Sequence, residues 1–199
     1  MEKKQANEVI RKSIHVCSLI IPFSYRYIFN YNRLLMFLIL LGALILDFAI
    51  EMARLEQPTF RKLFHKLFGP LLRRHERRDF TGATFVILSA MLCTAFFKPE
   101  IAFLSMSYLA VGDTLAATVG MTKGKRKYLR QNKTLEGSLA CFAGILIFSL
   151  IFGNRINPLI YVVGCLMATL AEIWNIPVDD NIKIPISAGI AMSLFNIFV

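Results

Sequence analysis

The chain has 199 residues, 56% of them hydrophobic, with 23 Lys and Arg against 13 Asp and Glu, a formal charge of +10. So apolar a composition excludes a disordered polar chain, and a soluble nucleic-acid-binding domain accounts for the charge but not for the long apolar runs. Four cysteines are ordinary usage rather than a disulfide framework, which leaves an integral membrane protein with basic extramembrane parts and no nucleic-acid partner.

At roughly 20 apolar residues per span, the length suits about seven transmembrane helices in one membrane-embedded domain, residues 1–199. Seven stretches qualify: 13–29 (interrupted by Pro22), 34–52, 81–97, 101–121, 135–153, 158–176 and 184–199. None alternates in polarity as barrel strands do, so all read as helices. With the N-terminus inside, 19 of the 23 Lys and Arg fall on the inner side. The excess predicts an N-in, C-out topology. The N-terminal lysines and first apolar run resemble a signal peptide, but Arg11, Lys12 and His15 crowd that run and no small-residue cleavage site follows. It is therefore expected to be retained. Cys17, Cys93, Cys141 and Cys165 lie within predicted spans without metal-ligand spacing, so small core residues are the simpler reading.

Ionisable groups in or beside spans are costly there and need partners or a task. In the first helix Glu8, Arg11, Lys12 and His15 stand at i, i+3, i+4 and i+7 and share one face. That face is either a solvated amphipathic start or a cationic surface turned toward a polar centre. In the second span, Asp47 lies one turn before Glu51; a direct role and a structural one both stay open for it. Glu51 with Arg54, Glu56 and Glu76 read as local ion pairs. Residues 54–79 contain FRKLFHKLFGPLLRR, whose apolar residues and cations recur at helical spacing. This predicts an amphipathic helix on an anionic lipid surface, with His65 and His75 as surface residues.

Asp113 stands apart. It follows a glycine deep in the fourth span, with no cation one turn away, so chemistry or metal binding is its expected role. Glu136 opens the fifth span, Glu172 lies near the end of the sixth, and Asp179 and Asp180 occupy the short loop beyond it. All these acids fall on or near the inner side with most of the cations. Mg²⁺ takes carboxylates and phosphate oxygens, while Lys and Arg neutralise the remaining phosphate charge. A metal and polyphosphate site on that side is the expectation, with Asp113, Glu136, Glu172, Asp179 and Asp180 as its metal set.

The basic loop 122–134 contains Gly124, Lys125 and Arg126, just after Gly120, and amides beside glycines suit anions. It is not a Walker A loop: the Gly120–Gly124 spacing is one residue short, and Arg126 stands where Ser or Thr should follow the lysine. Lys133-Thr134-Leu135-Glu136-Gly137 is more specific. There Lys133 can bind phosphate, Thr134 can cap a helix, Glu136 can reach a metal and Gly137 permits close helix packing.

Five segments together carry a family resemblance: EVIRKSIH (8–15), DFTGAT (79–84), VGDTLAATVG (111–120), KTLEGS (133–138) and EIWNIPVDDNIKIP (172–185). In this order they resemble the dolichol kinases, phytol and other isoprenol kinases and CTP-dependent diacylglycerol kinases, in a compact prokaryotic form. The resemblance implies transfer of the γ-phosphoryl group of a nucleoside triphosphate, typically CTP, to the hydroxyl of a lipid alcohol, at the cytoplasmic face of a prokaryotic inner membrane or of the endoplasmic reticulum. It implies Mg²⁺, with Asp113 and Glu136 catalytic. Arg11, Lys12, His15, Gly120, Gly124, Lys125, Arg126, Lys133, Thr134 and Asn181 would hold the nucleotide. Membrane lipids are the further expected partners.

Two other readings compete. A phosphatidate cytidylyltransferase would also use CTP, metal and acids, but a Lys-Arg pair followed by Lys-Asp is absent near the C-terminus. The D-x-x-D-G-x-x-A-R pattern of CDP-alcohol phosphotransferases is absent too. A small transporter or membrane scaffold would share the buried acids without needing several basic–acidic motifs on one side.

Overall fold

The computed structural model describes residues 2–69, 71–73, 76–127 and 133–199, with residues 2–9 described through their backbone alone. The chain is helical, without a strand among the described residues. His75, the side chain of Glu8 and residues 128–132 of the basic loop lie outside the described set.

Helix α1 (Glu2–Cys17) ends where the sequence predicts a continuous first span. The break falls at Ser18–Leu19, with the Ser18 hydroxyl donating to the His15 carbonyl at 2.6 Å. A four-residue helix, α2 (Ile20–Phe23), follows, then a π-helical turn (Ser24–Ile28). Pro22 has no N–H to donate to the Ser18 carbonyl, which accepts from the Ile21 amide at 3.0 Å instead. Asn30 and Tyr31, both at positive φ, turn the chain into α3 (Arg33–Glu56). Asn32 caps α3 by accepting from the Leu35 amide at 3.0 Å.

At Gln57 the chain bends, and Pro58 opens α4 (Pro58–Phe68), the predicted amphipathic helix. Then come α5 (Gly82–Phe96), α6 (Pro99–Lys123), α7 (Leu135–Phe152), α8 (Pro158–Ile173) and α9 (Asp180–Phe195). Proline suits the first position of α4, α6 and α8, where the amide has no helical partner.

Helix α6 is the centre of the bundle, with Ile101–Ala110 buried without interruption. It touches α1, α2, α5, α7, α8 and α9. Glycines let α6 and α7 approach closely. A Cβ on Gly137 would sit 2.7 Å from the Ala116 carbonyl oxygen, and one on Gly112 would sit 2.9 Å from Cys141 Sγ. Three helices, Arg33–Glu56, Pro99–Lys123 and Leu135–Phe152, are long and apolar enough to cross a membrane; Gly82–Phe96 and Pro158–Ile173 are shorter apolar helices. The outer surface is apolar, including Leu34, Leu38, Leu46, Leu150 and Leu170. In water such a surface would be an aggregation liability, whereas lipid is its natural solvent.

Candidate functional site

A cavity of about 700 Å³ lies among α1, α3, α4, the start of α5, the middle of α6 and the start of α9. That size is within the range of about 300–1,000 Å³ usual for small-molecule sites. Its lining is divided. Arg11, Lys12, His15, Asp47, Asp113 and Asn181 supply polar groups, while Phe60, Phe64, Leu67, Phe68 and Leu71 supply hydrocarbon.

The polar part is built on α1 and α6. Lys12 is buried, and its ammonium donates to the Asp113 carboxylate and, at 3.2 Å, to the Asp113 carbonyl. His15 Nε2 lies 3.5 Å from Asp113 Oδ2 and has no hydrogen-bond partner. Lys12 and His15 sit three residues apart on one face of α1, so both reach the same carboxylate. The cation that sequence spacing does not offer Asp113 within its own helix is thus delivered by another one. Asp113 lies ten residues before the end of α6, about 15 Å along the axis at 1.5 Å per residue.

A second buried group shapes the cavity wall. Arg54, fully buried, pairs with Glu51 and donates to the Glu76 carbonyl at 2.8 Å and the Asp79 carbonyl at 2.6 Å. The other Glu51 oxygen accepts from the Thr81 hydroxyl at 2.9 Å. Glu76 accepts from the amides of Arg73 at 2.7 Å and Gly82 at 3.2 Å. Asn181 closes the ring by donating to the Gly82 carbonyl at 3.2 Å. Asp47 accepts from the Thr84 hydroxyl at 2.6 Å. The predicted Glu51–Arg54 pair is present, but it lies in the interior and holds the backbone of Glu76 and Asp79 against α3. A space-filling Cβ on Gly82 would meet Asn181 Nδ2 at 2.9 Å, so glycine is what allows this approach.

A separate network joins α7, α8 and α9. Lys133 Nζ is 3.2 Å from Glu172 Oε1 and 3.7 Å from Asp180 Oδ2, and also donates to the Glu172 carbonyl. Lys183 pairs with Asp180 at 2.6 Å and donates to the Trp174 carbonyl at 2.7 Å. The Ser138 hydroxyl donates to Glu172 Oε2 at 3.2 Å. Asp179 caps α9 through the Asn181 amide at 2.8 Å and lies 3.8 Å from Arg73.

The turn before α7 is a third unit. Thr134 caps α7 by accepting from the Gly137 amide at 3.1 Å. The Glu136 carboxylate folds back to accept from the amides of Lys125 and Arg126 at 3.2 Å. Lys127 and Thr134 form an isolated antiparallel bridge. Gly120 and Gly124 are explained by packing, since a Cβ on either would meet Thr134, at 3.2 and 2.6 Å.

The structure therefore gathers Arg11, Lys12, His15, Asp113 and Asn181 around one cavity. It places Lys133, Glu172 and Asp180 in the network between helices, and Gly120, Gly124, Lys125, Arg126, Thr134 and Glu136 in the loop turn. Asp113, Glu136 and Asp179 are engaged by different neighbours, while Glu172 and Asp180 share Lys133, so the five acids are split among separate networks. Among the described residues no three His, Cys, Asp or Glu side chains form a metal cage. Magnesium held mainly by substrate phosphates needs only one or two carboxylates, and Asp113 and Asp47 both line the cavity. The residues present fit that mode of binding.

Sequence reasoning missed Arg73 and Glu76. Arg73 is one of four arginines within six residues, and nothing in that run marks which one turns inward. The DFTGAT segment was a signal for the Thr81–Gly82–Ala83 part of the wall, though without a role attached to any of its residues.

The chain is 28% identical over 165 residues to CTP-dependent diacylglycerol kinase 1 of Schizosaccharomyces pombe, covering 74% of this chain and 75% of the relative. It is 28% identical over 215 residues to CTP-dependent diacylglycerol kinase 1 of Saccharomyces cerevisiae, covering 94% and 73%. An uncharacterized protein of Rickettsia prowazekii is 25% identical over 194 residues, 93% of each chain. No protein-family model and no solved structure matches. The similarity supports a CTP-dependent lipid kinase and favours that reading over the cytidylyltransferase and the transporter or scaffold.

Proposed function

We propose that the protein transfers the γ-phosphoryl group of CTP to the hydroxyl of a membrane lipid alcohol, with diacylglycerol as the first acceptor to test and isoprenols or polyprenols as the second. The observation that carries this reading is the divided cavity. Asp113, Lys12 and His15 stand in one part of it and an apolar wall forms the other, which matches an acceptor with one hydroxyl on a hydrocarbon body. The similarity to CTP-dependent diacylglycerol kinases supports the donor and the acceptor class.

In the proposed mechanism the lipid hydroxyl comes to Asp113, whose carboxylate accepts its proton as the oxygen attacks the γ-phosphorus. The bond from that phosphorus to the bridging oxygen breaks, releasing CDP. Lys12, Arg11 and Arg73, all in the cavity lining, neutralise charge on the phosphates. In-line transfer is mostly positioning and charge stabilisation, so fixed cations at the reacting end are its main requirement. His15 Nε2, close to Asp113 but without a hydrogen-bond partner of its own, is a donor for a phosphate oxygen. Magnesium would be held by Asp113 and Asp47 and would offset triphosphate charge. Lys125 and Arg126 guide the nucleotide, and Asn181 contacts its base. Lys133, Thr134, Gly120 and Gly124 shape the approach. Glu136, Glu172, Asp179 and Asp180 hold these cations and turns in place.

The proposed setting is an N-in bundle of seven spans with this site toward the cytoplasmic side of a prokaryotic inner membrane. The inner-side excess of Lys and Arg supports it. The reaction is tested with purified protein, mixed lipid alcohols and CTP labelled at either the γ- or the α-phosphorus. Label from the γ-position in lipid phosphate is the expected result. Label from the α-position in lipid means nucleotidyl transfer, and no lipid label from either means neither reaction.

A further inference from the structure

Helix α4 has a role in this site beyond lying on a membrane surface. Its apolar residues Phe60, Leu63, Phe64, Leu67 and Phe68 follow i, i+3, i+4, i+7, i+8 spacing and form one stripe. All five line the cavity that holds Lys12 and Asp113. Lys62 and Lys66 occupy the other side of the helix and Arg61 the edge of the stripe, and all three are exposed. The orientation of α4 is fixed where it leaves α3. Pro58 starts it directly after Gln57. Arg61 donates back to the Arg54 carbonyl at 3.2 Å and to the Leu55 carbonyl. The Arg54 guanidinium lies 5.3 Å from the Phe64 ring centre, so the buried Arg54 group and the apolar stripe are one assembly.

The stripe is not closed off by protein. Leu63 is 53% exposed, Leu67 62% and Phe68 46%, although each faces the cavity. An apolar surface left open beside a buried Lys–Asp pair calls for a ligand that is hydrocarbon on one side and polar at one end. A free nucleotide or a polar metabolite would leave the stripe uncovered.

Resting on the kinase reading, we infer that α4 is the chain-binding wall of the acceptor site: the hydrocarbon chain of the lipid alcohol lies along Leu63, Phe64, Leu67 and Phe68 while its hydroxyl reaches Asp113. The cations on the outer side of α4 keep the helix at the headgroup level. Acceptor preference is then set by this stripe as well as by the polar end, and it acts on binding of the chain rather than on the phosphoryl step.

The test uses the full chain in vesicles of phosphatidylcholine and phosphatidylglycerol, with two readouts. First, Leu63→Gln/Leu67→Gln is compared with wild type on dioctanoyl- and dioleoylglycerol. The expected result is a rise of about tenfold in KM for the long-chain acceptor, equivalent to about 1.4 kcal/mol. The short-chain KM should rise by a clearly smaller factor, about threefold or less, because fewer methylenes lie on the stripe, and both kcat values should stay within about twofold. An equal change for both acceptors, or none, overturns the inference. Second, a diacylglycerol carrying a diazirine in its acyl chain is photolysed with the wild type. Saturable labelling of residues 58–72, competed by unlabelled diacylglycerol, is expected. Labelling spread over the outer faces of α3 and α7 without a saturable α4 component overturns it. The second readout needs no turnover, so a failed kinase assay with saturable α4 labelling separates the loss of the kinase reading from the loss of this one.

Discussion

Lys12 and Asp113, 101 residues apart in sequence, are bonded through two contacts: the ammonium donates to both the carboxylate and the backbone carbonyl of the aspartate. The pair fastens the amphipathic α1 to the middle of the central helix. Lys12 is 7% and Asp113 17% exposed, so removing one member leaves a largely desolvated charge without a partner, at a cost below the roughly 3–5 kcal/mol of a fully buried pair. Lys12→Met is therefore expected to lower thermal stability in detergent and to abolish transfer. Lys12→Met combined with Asp113→Asn is expected to recover most of the stability and none of the activity. A double variant as unstable as the single one would show that the pair is not the origin of the loss.

Arg54 is fully buried and has Glu51 and the Glu76 and Asp79 carbonyls as partners. Arg54→Leu would strand Glu51 in the interior. The expected outcome is a loss of about 3–5 kcal/mol, together with increased proteolysis between residues 70 and 82. Glu51→Gln keeps an acceptor for Thr81 and should cost less. Equal stability of Arg54→Leu and wild type would contradict the proposed anchoring of residues 76–79.

The resting position of Glu136 gives a direct way to separate two roles. Its carboxylate holds the amides of Lys125 and Arg126, and glutamine retains an acceptor oxygen for them. Glu136→Gln is expected to keep kcat within about tenfold of wild type and to raise the KM for CTP. Loss by a factor of about 10²–10⁴, the range for removing a group that transfers a proton, would put Glu136 at the reacting atoms instead.

Close approach of α6 and α7 depends on Gly137. A methyl group there would lie 2.7 Å from the Ala116 carbonyl oxygen, a backbone atom that does not move aside readily. Overpacking of this kind costs about 1–3 kcal/mol. Gly137→Ala should therefore lower the melting temperature in detergent. Gly42→Ala, which would meet nothing within 4 Å, serves as the control and should not.

Much of the helical layout was legible in the sequence, because apolar runs and proline or Asx/Thr starts act locally. Pro99, Pro158, Thr134 and Asp179 mark helix starts by their own chemistry. Asp113 was legible for a similar reason: a lone acid in an apolar run calls for a partner. The face of α1 that holds Lys12 and His15 was legible from spacing, but its target was not. Which helix α1 meets is a matter of packing over about a hundred residues.

The break after Cys17 escaped a hydropathy reading because Ser18 and Leu19 do not lower it enough to show. The dispersal of the acids escaped for another reason. Glu136 is satisfied by the Lys125 and Arg126 amides across the basic loop and Asp179 by the Asn181 amide two residues on, and a topology drawing that assigns residues to one side of a membrane does not resolve such capture by backbone. Glu76 was hidden by its neighbours, a run of arginines that makes a surface pair the simplest expectation. Its interior position follows only once Arg54 has drawn the 76–79 backbone inward.

The central claim is that Asp113, held by Lys12 beside an apolar wall, is the group at which the lipid hydroxyl reacts. The most direct test measures γ-phosphoryl transfer from labelled CTP to diacylglycerol by wild type and by Asp113→Asn, each shown by size-exclusion profile to be folded at an assay temperature well below the variant's own unfolding transition. The account predicts lipid phosphate from the wild type and a fall of at least about 10²-fold in the variant. Turnover by a folded Asp113→Asn protein at the wild-type rate would contradict it.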